Sequence, residues 1–264
     1  MTSPLIEARK NGFVELVRLL LKYGARASQA DAGNNTALHW AAGHNHRNCA
    51  AVLLDCKRTM EVTNADGNTP LMEAAAKLSV EMVQFLLQHA ASCCFELNQW
   101  HKSALAIASF QGDMQIVCLM LHNANATEDR SRELYAALAA AATGNFVQIA
   151  QKLLDYGACV NYADAFILSP LHSAALAGSR EVTKLLLSYG ANLEDFDNNG
   201  YTPLMEAAKA GHEEMIITLL CAGAKADRTS EDGRYKASDL FSRSRHSMAA
   251  RMLLLSEAAD GAFM

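Results

Sequence analysis

Thr202-Pro203-Leu204-Met205-Glu206-Ala207-Ala208 decides how this chain is read, because the same seven residues stand at Thr69 to Ala75. Looser copies are Ser3-Pro4-Leu5, Thr36-Ala37-Leu38-His39, Ser103-Ala104-Leu105, Ala136-Ala137-Leu138 and Ser169-Pro170-Leu171-His172, with Lys236-Ala237-Ser238 as a degenerate last one. The copies begin at 3, 36, 69, 103, 136, 169, 202 and 236, so successive starts lie 33 or 34 residues apart. A fixed period of that size specifies an array, in which each copy is one supersecondary unit that buries its apolar face on its neighbours.

With the opening residue of each copy as position zero, position two is Leu5, Leu38, Leu71, Leu105, Leu138, Leu171 and Leu204, and only Ser238 breaks the series. Position five is Ala8, Ala41, Ala74, Ala108, Ala141, Ala174 and Ala207, then Phe241. Leucine and alanine three apart share one helix face, and small alanines let a neighbouring helix approach closely. Pro after Ser or Thr marks a helix start, since the hydroxyl caps and proline fits the first turn. Position nine carries Gly12, Asn45, Gly112, Asn145, Gly178 and Gly211, residues that tolerate positive φ and end a helix. Leu78 and Arg245 depart from that pattern, so those two turns are expected to differ.

A second apolar series starts at position thirteen with Leu16, Cys49, Met82, Ile116, Ile149, Val182, Met215 and Ala249. It continues in pairs such as Leu86-Leu87 and Leu219-Leu220, spacings that suit the buried face of a second helix. Tyr-Gly-Ala at Tyr23, Tyr156 and Tyr189, and Ala222-Gly223-Ala224, close that helix. Turn-rich stretches such as Asp66-Gly67-Asn68 and Asp197-Asn198-Asn199-Gly200 then read as hairpin-like turns. Each copy is therefore helix, turn, helix, projecting loop.

Composition narrows the function classes. At 51% hydrophobic, 7% aromatic and 19% charged residues, the chain has enough apolar content to order itself. A net charge of −5 argues against a surface built to grip phosphate backbones. The basic residues Arg228, Arg234, Lys236, Arg243, Arg245 and Arg251 are interspersed with Glu231, Asp232 and Asp239, which reads as a solvated cap and not a nucleic-acid site. No apolar run reaches the roughly 18 to 20 residues of a membrane span, so no membrane insertion is expected. Seven scattered cysteines, an odd number, point to reduced thiols and a cytoplasmic or nuclear setting.

Catalytic signals are missing. There is no Gly-rich phosphate loop, Gly-x-Ser-x-Gly elbow or His-Glu-x-x-His. Glu73 and Glu206 lie four copies apart and cannot share a substrate. His44, His46 and Cys49 resemble part of a metal site, but no fourth ligand stands nearby and Cys49 occupies inward position thirteen. Cys93-Cys94 lacks the Cys-x-x-Cys spacing that tunes a redox thiol. The expectation is no enzyme, no cofactor, no metal and no small-molecule substrate.

With Thr-Pro-Leu-His-like openings, Ala-Ala, Gly-His, Leu-Leu-Leu and Gly-Ala in phase, the unit resembles the ankyrin repeat over nearly the whole chain. Thr-Pro-Leu-Met-Glu-Ala-Ala followed by Gly211-His212-Glu213-Glu214-Met215 is similar to the MASK type, multiple ankyrin repeats with a single KH domain. The resemblance implies an all-α solenoid of about eight units with projecting hairpin-like loops, one array over residues 1–257 and a short tail at 258–264. It implies that His39 and His172 hydrogen-bond around their turns and tie loop to helix. It also implies asparagine hydroxylation after the Gly-Ala turn, a slot that Asn161 fills, although Cys159 stands where an acidic residue is usual. The complete helix near Met1 is expected to serve as a cap or to continue from further repeats.

Positions left free by packing carry the information. In ankyrin-like arrays these are the loop tips just before position zero and positions seven and eight, which line a concave face. Early copies place polar Asn35, His44, Asn68 and Lys77 there. Later copies place Trp100, Lys102, Phe110, Tyr135, Phe166, Leu168, Tyr201, Lys209 and Tyr235. Aromatic and branched side chains flanked by cations match interface hot spots, so these nine residues are the expected partner-binding stripe. An alternative for one loop is that Phe166, Ile167 and Leu168 fold back over a neighbour; Trp40 is expected to be packed. The expected function is a protein–protein interaction scaffold or adaptor for a protein or peptide partner, with an enzyme's regulatory subunit or inhibitor as the alternative.

Overall fold

A computed structural model describes residues 4–6, 13–54, 62–89, 96–123, 130–162, 168–241 and 248–260, the last four by backbone alone. Its contacts divide the chain into two compact units, residues 1–133 and 134–264.

The first unit contains α1 (Val14–Lys22), α2 (Ala37–Gly43), α3 (Arg47–Leu54), α4 (Pro70–Ala76), α5 (Val80–His89), α6 (Ala104–Gln111) and α7 (Met114–Asn123). The short first helices α2, α4 and α6 pack side by side, and α1, α3, α5 and α7 form a second layer behind them. The second unit repeats this arrangement. α8 (Ser131–Thr143) leads into it, followed by α9 (Val147–Asp155), α10 (Pro170–Ala177), α11 (Arg180–Ser188), α12 (Pro203–Ala210), α13 (Glu213–Cys221), α14 (Ala237–Leu240) and α15 (Met248–Asp260). There α10, α12 and α14 form one layer and α9, α11, α13 and α15 the other.

Local chemistry sets each helix start. Thr69 Oγ1 accepts the Met72 N–H at 3.3 Å, Ser169 Oγ the His172 N–H at 3.2 Å, and Thr202 Oγ1 the Met205 N–H at 3.4 Å. Pro70, Pro170 and Pro203 take the first helical position, where their missing N–H costs nothing. The two recurring packing positions are then fully used. Described leucines at position two and alanines at position five are at most 2% exposed, as are the position-thirteen residues from Cys49 to Ala249. Burying a leucine of this kind contributes about 2 kcal/mol, and every copy but the last repeats that contribution.

The first helices α2, α4, α6, α8, α10 and α12 each end in one left-handed residue. Gly112, Gly178 and Gly211 have φ of 80°, 73° and 76°, and Asn45 and Asn145 have 56° and 55°. Leu78 was expected to turn differently but adopts the same conformation at φ 56°. The turn is dictated by its closure, in which Leu78 N–H donates to Ala75 C=O and Ser79 N–H to Ala74 C=O, each at 3.1 Å. A leucine there bears about 1–2 kcal/mol of strain that glycine avoids. Arg245 lies outside the described residues. Among the described residues there is no extended strand, only an isolated bridge between Ala30 and Thr36, and no helix is long and apolar enough to cross a membrane.

Candidate partner-binding face

The hairpins before α2, α4, α6 and α12 are each fixed by one side chain. Five residues before position zero stands Asp31, Asn64, Asn98 or Asp197. In each, Oδ1 accepts two backbone N–H groups, two and four residues on. Asp31 takes Gly33 and Asn35, Asn64 takes Asp66 and Asn68, Asn98 takes Trp100 and Lys102, and Asp197 takes Asn199 and Tyr201, all at 2.8–3.0 Å. Asn34, Gly67, His101 and Gly200 supply the left-handed residue between them. A side-chain clip of this type replaces a strand ladder and fixes the hairpin tip locally.

Neighbouring hairpins are joined to one another. Ala65 N–H donates to Gly33 C=O at 2.9 Å, Gln99 N–H to Asp66 C=O at 3.2 Å, and Glu231 N–H to Gly200 C=O at 2.9 Å. In the first unit an amide ladder reinforces this: Asn64 donates to Asn35 Oδ1 at 3.0 Å and Asn98 to Asn68 Oδ1 at 2.8 Å. Glu73 Oε1 accepts from both Asn64 and Asn68. The histidines act as the resemblance implied. Each ring donates Nε2–H to the next hairpin, His39 to Asn68 C=O at 2.9 Å and His172 to Tyr201 C=O at 3.0 Å. Nδ1 then accepts from the Thr36 hydroxyl at 2.9 Å or the Ser169 hydroxyl at 2.7 Å, which requires a neutral ring.

On this frame the expected stripe is only partly present. In the first unit Trp100 is 54% and Phe110 48% exposed, and Lys102 is exposed with Nζ 5.4 Å from the Phe110 ring centre. In the second unit Tyr235 and Lys209 are exposed, while Leu168 and Tyr201 are half-buried. Lys209 Nζ sits 4.8 Å over the Tyr201 ring and 3.6 Å from Glu206 Oε1. Phe166 lies outside the described residues. Tyr135 requires correction: it is 2% exposed and packs 5.4 Å from the Tyr162 ring. Here α8 starts at Ser131, five residues ahead of position zero, so Tyr135 belongs to a helix and faces inward instead of crowning a hairpin.

One further side chain in each unit belongs to that unit's hairpin and first-helix face. Leu176, at position seven, is 43% exposed. Trp40 is half-buried and donates its indole N–H to Asp31 Oδ2 at 2.8 Å, so it braces its hairpin. Partial burial pushes the Asp31 carboxyl up, but the bonds from Trp40, Asn35 and Gly33 outweigh it and hold it below its ordinary value. Glu206 is displaced the other way. Burial raises its carboxyl, Lys209 opposes that, and neighbouring Asp197 adds to it.

The remaining sequence candidates fall elsewhere. Cys49 is fully buried in the core of α3, while His44 caps α2 and lies 6.0 Å from the His46 ring. Asn161 bridges two loops, donating to Gly190 C=O at 2.8 Å and accepting the Asn192 N–H at 3.0 Å. Cys93 and Cys94 lie outside the described residues.

Comparison with known proteins agrees with this geometry. A family model described as Ankyrin repeats (3 copies) matches residues 1–63, 56–131 and 135–230. The Caenorhabditis elegans ankyrin repeat and KH domain-containing protein mask-1 is 29% identical over 194 residues, which is 61% of this chain and 7% of that protein. The Drosophila melanogaster mask protein is 38% identical over 71 residues, 26% of this chain and 2% of that protein. Human SH3 and multiple ankyrin repeat domains protein 2 is 35% identical over 83 residues, 31% and 4% respectively. The chain thus matches only a small part of the length of these relatives. Among solved structures, the human ASB11 ankyrin repeat domain superposes with a TM-score of 0.57 at 24% identity, covering 97% of this chain and 98% of that one, a likeness of fold. Family matches across most of the sequence and one packing scheme repeated in both units lead to the same conclusion: this chain belongs to the ankyrin repeat family.

Proposed function

We propose that this protein is a non-catalytic scaffold or adaptor that holds a protein or peptide partner on the face formed by its hairpin tips and first helices. The observation that carries the reading is a contrast between positions. The described leucines and alanines at packing positions two and five are at most 2% exposed, whereas Trp100, Phe110, Leu176 and Tyr235, all on the variable face, are 42–54% exposed. Large apolar side chains on hairpins and short first helices whose backbone is already hydrogen-bonded lose little freedom on binding, which is what an interface anchor needs. Ankyrin repeats bind protein partners as a class, and that supports the reading without naming a partner. Cytoplasm or nucleus is the compartment that fits its free thiols, of which Cys159 and Cys221 are exposed.

The test is affinity capture with wild type and a Trp100→Ala/Tyr201→Ala/Tyr235→Ala variant, with far-UV circular dichroism to show that the variant is folded. The proposal expects the partners identified with wild type to be lost. Unchanged partners on a folded variant would remove it.

A further inference from the structure

The same two positions meet in both units, with their chemistry exchanged. In the repeat starting at 103, the residue before position zero is Lys102 and the residue at position seven is Phe110. In the repeat starting at 202 these are Tyr201 and Lys209. Ammonium and ring approach to 5.4 Å and 4.8 Å respectively. The pairs differ in what surrounds the cation. Lys209 has Glu206 at position four, 3.6 Å away, and Glu206 in turn has Asp197 of the hairpin clip beside it. The equivalent positions beside Lys102 are Ile107 and Asn98, both uncharged. Among the described residues no carboxylate lies within ion-pair distance of Lys102. Asp66, on the preceding hairpin, instead accepts from the Gln99 side chain at 3.3 Å.

We infer that Trp100, Lys102 and Phe110 form an acid-reading subsite for an extended peptide carrying an Asp or Glu next to an aromatic or branched apolar residue. This rests on reading the face as partner-binding and adds the partner's chemistry. An exposed cation with both local acids deleted complements a carboxylate. Exposed Phe110, 5.4 Å from the ammonium, and exposed Trp100, two residues before Lys102, offer apolar contact to the residue beside the carboxylate. A single ammonium beside one aromatic ring suits one carboxylate with an apolar neighbour better than a phosphate, which calls for several donors. The hairpin clip on Asn98 holds the backbone of both Trp100 and Lys102, so the subsite is formed before the peptide arrives.

The experiment selects a displayed library of random linear peptides on the full chain, then measures synthetic winners by fluorescence anisotropy at low and high salt. The inference expects Asp or Glu beside Phe, Trp, Leu or Ile among the winners. Lys102→Gln, or Glu→Gln in the peptide, weakens binding about tenfold, and the two changes together cost little more than either alone. Lys102→Arg retains binding, as does Lys184→Gln on α11. Ile107→Glu, which installs the carboxylate that the second unit has, removes the acidic preference. Winners without acidic enrichment, no winners at all, or additive losses from Lys102→Gln and the peptide change would overturn the inference. If the triple alanine variant loses its captured partners while the library yields no acidic peptide, the partner-binding reading stands and this inference fails.

Discussion

His172 and His39 connect fold to function, so truncating them is the sharpest test of the packing account. His172 is 1% exposed, and its ring joins the Ser169 hydroxyl to the carbonyl of Tyr201, a residue of the binding face. His172→Ala removes two hydrogen bonds at about 1 kcal/mol each, while the Tyr201 carbonyl keeps the Asp197 N–H at 2.9 Å. A cavity of imidazole size adds to this, so the total loss is about 3–4 kcal/mol. His39→Ala, at 2% exposed, loses the equivalent bonds to Thr36 and Asn68 and gives a loss of the same size. Urea unfolding followed by far-UV circular dichroism at pH 7.5 measures both. The response to pH adds a signature that general damage would not produce. Burial, the largest influence, holds the His172 ring below its ordinary 6.5, although the Tyr201 carbonyl and the Asp197 and Asp195 charges draw it upward. The unfolded chain therefore takes up a proton where the folded chain does not, and this contribution to stability is lost as pH falls below about 6.5. The alanine variant lacks that part of the slope, so the gap between it and wild type narrows in acid. A loss under about 1 kcal/mol, or a gap independent of pH, would refute the reasoning.

Three further outcomes follow from particular residues. Ser109 is fully buried, its hydroxyl has no partner, and the equivalent residues Ala42, Ala75, Ala142, Ala175 and Ala208 are all alanine. Ser109→Ala raises stability by about 1 kcal/mol in urea unfolding, since it removes an unsatisfied group and improves helix propensity. Glu206→Gln makes the protein more stable at neutral pH. The raised carboxyl binds its proton more readily when folded, so wild-type stability falls as pH rises through the interval above 4.5, and the variant's advantage disappears below it. Gly67→Ala costs about 2 kcal/mol or more, because φ is +75° and the added Cβ would lie 2.9 Å from the Gln99 backbone nitrogen. Weaker partner binding through the adjacent Trp100 hairpin accompanies that loss.

The period, the helix starts and the inward leucines and alanines were legible because each copy repeats one packing problem. Thr69, Thr202 and Ser169 cap where a capping residue before proline predicts, and His39 and His172 tie loop to helix as the family resemblance implied. Leu78 escaped because its left-handed turn is imposed by backbone closure and not by its own preference. Tyr135 escaped because register alone assigns a hairpin tip to every copy. The hairpins before α2, α4, α6 and α12 each have a clip five residues before position zero and a left-handed residue two before it. In the copy starting at 136 those positions are Ser131 and Leu134, so the chain begins its helix early and turns Tyr135 inward. The exchange of cation and ring between Lys102–Phe110 and Tyr201–Lys209 is readable only once loop and helix are seen to meet.

The central claim is that partners are held on the face formed by the hairpin tips and first helices. Amide hydrogen exchange of the chain, alone and saturated with a captured partner, tests it most directly. The account predicts slowed exchange in the hairpins around Trp100 and Lys102 and around Tyr201 and Tyr235, with the ends of α6 and α12 included. Protection confined to the second helices, around exposed Tyr156 and Tyr189, would contradict it.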